Sequence, residues 1–189
     1  QDVARNLRVK KLVDAETGET PDPTPEKIQS FYQSKRAQFD VPESVHARHI
    51  LIVCQADADE AAKAEKKAAA EEVRKRLLEG ADFAALAAEL SDCPSKTSGG
   101  DLGTFSRGKM VKAFEDAAFS QEVKEIGPVI ASTFGFHVVQ TLEHNEARTK
   151  SLDEVRGDIT AFLKRGEQQQ AVIAYVKKLK QAADVTYGN

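Results

Sequence analysis

Apolar positions recur at two different spacings along this chain, and the changes of spacing divide it into three zones: residues 1–43, 44–145 and 146–189. In the first zone, Thr24 is a candidate N-cap, Pro25 fits the first helical position and Glu26 suits the positive helix end. Ile28, Phe31, Tyr32 and Phe39 follow at helical spacing, and "DVPES" closes the predicted helix, because the residue before Pro42 is driven to extended geometry. The middle zone opens with "VHARHILIVC", a β-branched, aliphatic strand. Alternation places Val45, Ala47, His49, Leu51 and Val53 on one face and Ile50, Ile52 and Cys54 on the other. Both faces are largely apolar, which predicts a central strand covered on both sides.

"DADEAAKAEKKAAAEEVRKRLLEG" then reads as an Ala/Glu/Lys-rich helix stopped at Gly80. Asp82 caps a second helix, "FAALAAEL", whose stripe is Phe83, Leu86 and Leu90. A glycine-rich loop leads to "MVKAFEDAAF", a short helix with Met110, Phe114 and Ala117 on one side. "IGPVIA" and "FGFHVVQTLEH" read as two strands joined by "STFG". The last zone begins with the capping-box pattern of Ser151 and Glu154. Its stripe of Val155, Ile159, Phe162 and Leu163 is interrupted at Gly166 and resumes at Ile173, Val176 and Leu179, and "ADVTYGN" is expected to end in a short extended piece. The order strand, helices, strand-like turn, helix, strand, strand predicts an α+β domain with an antiparallel sheet and helices beside it.

Composition narrows the function classes. The 189 residues are 41% hydrophobic and 30% charged, which fits a folded protein with a large solvated surface. A net charge of −3 gives no basic footprint for nucleic acid. No apolar run approaches the roughly 20 residues that span a bilayer. The start, "QDVARNLRVKKLVD", has neither an initiator Met nor the apolar core of a signal peptide, so a processed or trimmed product is expected. Cys54 and Cys93 are compatible with one disulfide or with two free thiols.

The candidate chemistry gathers in the middle zone. His49 and His137 lie inside two predicted strands; if these pair antiparallel, the imidazoles can sit side by side, about 5 Å apart. The alternative is two unrelated core histidines. His46 and His144 fall at strand ends and read as surface residues. Between residues 91 and 116 runs "SDCPSKTSGGDLGTFSRGKMVKAFED". No Gly-Lys-Ser/Thr follows its glycines, so it is not a phosphate loop. Cys93 is open to two readings, a nucleophile served by a histidine base or a half-buried thiol acting as a small hydrophobe. A zinc site lacks the spaced ligand pairs. Gly99, Gly100 and Gly103 permit tight turns, while Met110 and Phe114 are either core residues or the floor of a small apolar pocket.

Taken in order, "ARHILI", "GADFAALAAELSDCPS", "GGDLGTFSRGKMVKAFEDAAF", "IGPV" and "FGFHVVQTLE" resemble the parvulin family of peptidyl-prolyl cis-trans isomerases over residues 45 to 145. The resemblance implies an FKBP-like domain, a four-stranded antiparallel sheet surrounded by helices. It places His49 and His137 as paired histidines at the centre and Cys93 near the reacting carbonyl. Leu102, Met110 and Phe114 form the proline pocket, with Phe105 beside it. Ser132 stands where the family often has a hydroxyl. Phe134, expected as a substrate-binding residue, stands where some members carry a second one. The flank "TPEKIQSFYQSKRAQFDVPESVHARHIL" looks like the lead-in of bacterial extracytoplasmic foldases of the SurA and PrsA kind, in which helical segments on either side build a chaperone module.

The implied partners are unfolded or proline-containing polypeptides, with no nucleic acid and no integral membrane segment, and the helical flanks leave room for a homodimer. The implied location is the periplasm or cell envelope. Neither metal nor organic cofactor is implied. The stretch "VCQADADEAAK" begins acidic where phospho-specific parvulins are basic, which argues against phosphoserine-proline recognition. The competing expectations are a holdase with an idle isomerase site and a cysteine hydrolase working through Cys93.

Overall fold

The computed structural model describes residues 15–182 apart from Thr17 and Glu19. The expected extended tail over 183–189 and the start over 1–14 lie outside the described residues. Residues 41–148 form one compact unit, and the described residues before and after them form a second.

In the second unit, α1 spans Pro25–Ser34 and α5 spans Leu152–Ala182. Thr24 caps α1 by accepting from the Lys27 N–H at 3.4 Å. The helix stops earlier than its apolar spacing predicts: Phe39 belongs to a separate 3₁₀ turn, Arg36–Phe39. Its ring stacks on Tyr32 at 5.2 Å, which explains why the spacing looked continuous. Ser151 and Glu154 close their capping box through bonds of 2.8 and 3.3 Å. Ile28 packs with Val155 and Ile159, and Phe31 meets Phe162 at 5.3 Å. The expected break at Gly166 does not occur. One glycine costs a helix only about 1 kcal/mol relative to alanine, and the run of Glu, Gln and Ala after it favours continuing.

The other unit is an α+β domain built on a four-stranded antiparallel sheet, ordered β3-β2-β5-β4. Here β2 is Ser44–Val53, β3 Asp101–Ser106, β4 Ile130–Ser132 and β5 Gly135–Asn145. The two-residue segments Asp40–Val41 (β1) and Arg148–Thr149 (β6) pair as a separate ribbon. The predicted central strand is β2, covered on both faces. Ile50, Ile52 and Val138 pack against Val73 and Leu77 of α2 (Glu60–Leu78) and Phe83 and Leu86 of α3 (Phe83–Leu90). Val45, Ala47 and Val139 pack on the opposite side against Phe114, Ala118 and Phe119 of α4 (Lys112–Ser120).

Three local expectations change. The helix predicted from Met110 begins at Lys112, with Val111 as its N-cap residue, so Met110 is on the loop. It is Ala118, not Ala117, that is fully buried on the inner face of α4. "IGPVIA" contributes only Ile130 and Ala131 to the three-residue β4, with Ile126 making an isolated bridge to Gln140. The strand-like turn in the glycine-rich stretch is β3. Gly100 has φ +83°, and a Cβ there would lie 2.3 Å from the His49 carbonyl oxygen. Only glycine permits that approach, through which the His49 N–H donates to the Gly100 carbonyl at 2.9 Å.

Candidate active site

The site lies on the α4 side of the sheet. His49 comes from β2 and His137 from β5, but they are not directly opposite: His49 pairs with Val139, and Leu51 with His137. The imidazoles are diagonal neighbours on one face, a separation that planar rings bridge readily. They stack with centroids 5.4 Å apart and Nδ1 atoms 3.2 Å apart. Phe114 meets both rings edge to face, at 5.5 and 5.6 Å.

Burial pushes both histidines down to about 4, and at His49 a charge on His137 would lower it further. Both are therefore neutral at pH 7, so one Nδ1 donates and the other accepts. His137 Nε2 is 2.7 Å from Ser132 Oγ, and that hydroxyl also accepts from the Phe134 N–H at 3.0 Å. Two tautomer sets satisfy these distances. In one, Ser132 donates to His137, which donates to His49; in the other, both protons run the opposite way. His49 Nε2 is buried and has no hydrogen-bond partner among the described residues.

Cys93 is carried by the segment after α3. Beyond Arg48, β2 no longer pairs with β3, and Ser91 and Asp92 take over its edge. Ser91 Oγ accepts from the Leu51 N–H at 3.1 Å and the Cys93 N–H at 3.3 Å. Asp92 donates its N–H to the Leu51 carbonyl at 2.8 Å and accepts from the Val53 N–H at 2.8 Å. Two side chains thus imitate a strand and fix the thiol beside the histidines. Cys54 and Cys93 are both free.

A cleft of about 440 Å³ opens over these groups, lined by His49, Leu51, Cys93, Leu102, Lys109, Met110, Val111, Phe114, Phe134 and His137. Seven of the expected site residues meet there. Ser132 reaches the cleft only through His137. Phe105, expected as a substrate-binding residue, does not line it: it is 7% exposed and packs behind Phe114 at 6.1 Å and against Phe119 at 6.0 Å. Gly103, at φ +68°, breaks the alternation of β3, so Leu102 and Phe105 join the same apolar cluster, Leu102 in the cleft and Phe105 below it. Sequence reasoning missed Leu51, Lys109 and Val111 as lining residues. The alternation of β2 already put Leu51 on the histidine face; nothing in the spacing marked Ser91 as the support of Cys93.

The chain matches the PPIC-type PPIase domain over residues 30–145. This chain belongs to the PPIC-type, or parvulin, family of peptidyl-prolyl isomerases. It is 34% identical over 163 residues to the foldase protein PrsA of Caldanaerobacter subterraneus subsp. tengcongensis, an alignment covering 86% of this chain and 47% of the relative. It is 37% identical over 158 residues to the chaperone SurA of Polaromonas sp., covering 81% of this chain and 33% of that one. The chain thus spans between a third and about half of these relatives. A solved structure from Campylobacter jejuni, one of two structurally related SurA-like chaperones, superposes with a TM-score of 0.70 at 27% identity, covering 99% of this chain and 73% of that one. The chain therefore carries a parvulin-type domain, and these relatives are foldases and chaperones.

Proposed function

We propose that this protein is a peptidyl-prolyl cis-trans isomerase that accelerates rotation about Xaa-Pro bonds in unfolded or extended polypeptides. Rotation of a peptide bond meets a barrier of about 18–20 kcal/mol, because the C–N bond has partial double-bond character. At the twisted geometry that resonance is lost and the nitrogen becomes pyramidal. A site that binds the twisted form better than either planar form lowers the barrier without making a bond. A reduction of roughly 5–7 kcal/mol corresponds to four to five decades in rate.

The observation that carries this reading is one cleft, apolar at its base and bounded by two buried neutral imidazoles and a thiol. Met110, Phe114 and Leu102 receive the proline ring and keep water from the amide. His49, His137 and Ser132 form a hydrogen-bonded wall able to reverse its donor direction without carrying charge. Cys93 sits beside that wall and adjusts the field at the carbonyl oxygen; rotation needs no nucleophile, so no covalent adduct is assigned to it. The same chemistry argues for clients presented as extended chain, and the family argues for a folding role outside the cytoplasm.

A holdase role is favoured by a different observation. In the unit containing α5, Phe162 is 61% exposed, and Ile173, Val176 and Leu179 also stand in solvent. Such a stripe suits unfolded clients. The two activities are separable. Met110→Ala is expected to reduce protease-coupled isomerisation of a short Xaa-Pro peptide at least tenfold while leaving suppression of client aggregation within twofold. Unchanged isomerisation in this variant would remove the cleft from the reaction.

A further inference from the structure

Glu115 is a buried carboxylate to which the isomerase mechanism assigns no task; only 8% of it is exposed. It occupies the first turn of α4, next to Phe114, and points back at the loop over 107–111. Its side chain accepts a hydrogen bond from the Gly108 N–H. Its own backbone N–H donates to the Val111 carbonyl at 2.9 Å. One residue thus grips the loop near both ends, and between the grips stand Lys109 and Met110. With Val111, these are the loop's three contributions to the cleft.

The preceding residue is fixed independently. The Arg107 guanidinium pairs with Glu43 at 2.7 Å and lies 4.2 Å over the Phe119 ring. Gly108 then turns the chain with φ +81°. The segment after this turn has no strand or helix of its own, so its position depends on what its backbone bonds. A buried polar side chain is costly unless hydrogen-bonded, and an acceptor oxygen within reach of the Gly108 N–H meets that need. Arg107 pairs with Glu43 and is an electrostatic neighbour of Glu115, whose side-chain hydrogen bond goes to the Gly108 N–H.

We infer that Glu115 is a positioning residue that clamps the 108–111 lip and so sets where Met110 stands in the cleft. This deepens the isomerase reading and, as to its consequence for substrate, rests on it. What matters is reach and an acceptor oxygen rather than negative charge. Glu115→Gln keeps both. Glu115→Asp keeps the charge but falls one methylene short, and it preserves the helix well enough to fold.

Met110 is the only methionine in the sequence, so its labelled methyl group gives one assignable signal. We expect Glu115→Gln to match the wild type in that signal, in the slow exchange of the Gly108 amide and, within twofold, in affinity for the tetrapeptide Ala-Leu-Pro-Phe. Glu115→Asp should shift or broaden the methyl signal and speed Gly108 exchange about tenfold. It should weaken peptide binding about five- to tenfold, as expected for a lost hydrogen bond, while the protein remains folded. An Asp variant with the wild-type methyl signal and Gly108 protection overturns the clamp, as does a Gln variant that behaves as predicted for Asp. If the wild type failed to isomerise the tetrapeptide while the methyl and exchange results followed this pattern, the isomerase reading would fall and the clamp would stand.

Discussion

The Nδ1 atoms of His49 and His137 are close enough that a second proton between them would set two donors against each other. Burial holds both groups at about 4, below the ordinary value of 6.5. Between about pH 6.5 and 4 the unfolded chain binds protons that the folded chain refuses, so folding stability falls as pH falls through that window and these two groups add no further change below it. Urea unfolding from pH 7 to 4.5 should show this slope, and a His137→Asn variant should show a shallower one; equal slopes would mean the pair is not neutral. Cys93 makes the complementary test. A nucleophile replaced by a hydroxyl should lose activity by orders of magnitude, whereas a thiol that only shapes the field should not. Cys93→Ser is expected to retain at least about a tenth of the peptide isomerisation rate, and a thousandfold loss would restore the covalent alternative.

Elements deliver these side chains through features of unequal visibility. β2 was legible because its alternation is apolar on both faces, and so was the histidine pair, since one imidazole fell in each of two predicted strands. The capping residues Thr24, Asp82 and Ser151 marked true helix starts because their side-chain bonds are local. β3 was legible only as a strand-like turn, because Gly103 interrupts its alternation; Phe105, set beside the pocket by resemblance alone, packs behind Phe114. The support of Cys93 by Ser91 and Asp92 was illegible because it depends on β2 outrunning its partner strand, a fact of register rather than of spacing. The glycines separate the same way. Gly166→Ala in the exposed part of α5 has open space at its Cβ and should stabilise the protein by about 0.5–1 kcal/mol. Gly100→Ala must strain a φ of +83° and meet the His49 carbonyl, and it should cost roughly 2–4 kcal/mol. Chemical denaturation of both variants checks the pair; a benign Gly100→Ala would mean that this close approach does not hold the site strand.

At the scale of the molecule, the sheet unit carries the whole cleft, while the unit of α1 and α5 carries the exposed apolar stripe. On the proposed reading, a single chain holds an extended client and turns its prolyl bonds with different surfaces. The isomerase half of that account is the central claim, and equilibrium NMR exchange on a short peptide with one Xaa-Pro bond tests it without a coupling protease. Uncatalysed cis and trans forms exchange over tens to hundreds of seconds. The folded protein at catalytic concentration should bring exchange into the range of seconds or faster, leave the peptide chemically intact, and lose most of this effect in Met110→Ala. Exchange that stays at the uncatalysed rate with folded wild-type protein, or a peptide that is cleaved, would contradict the account.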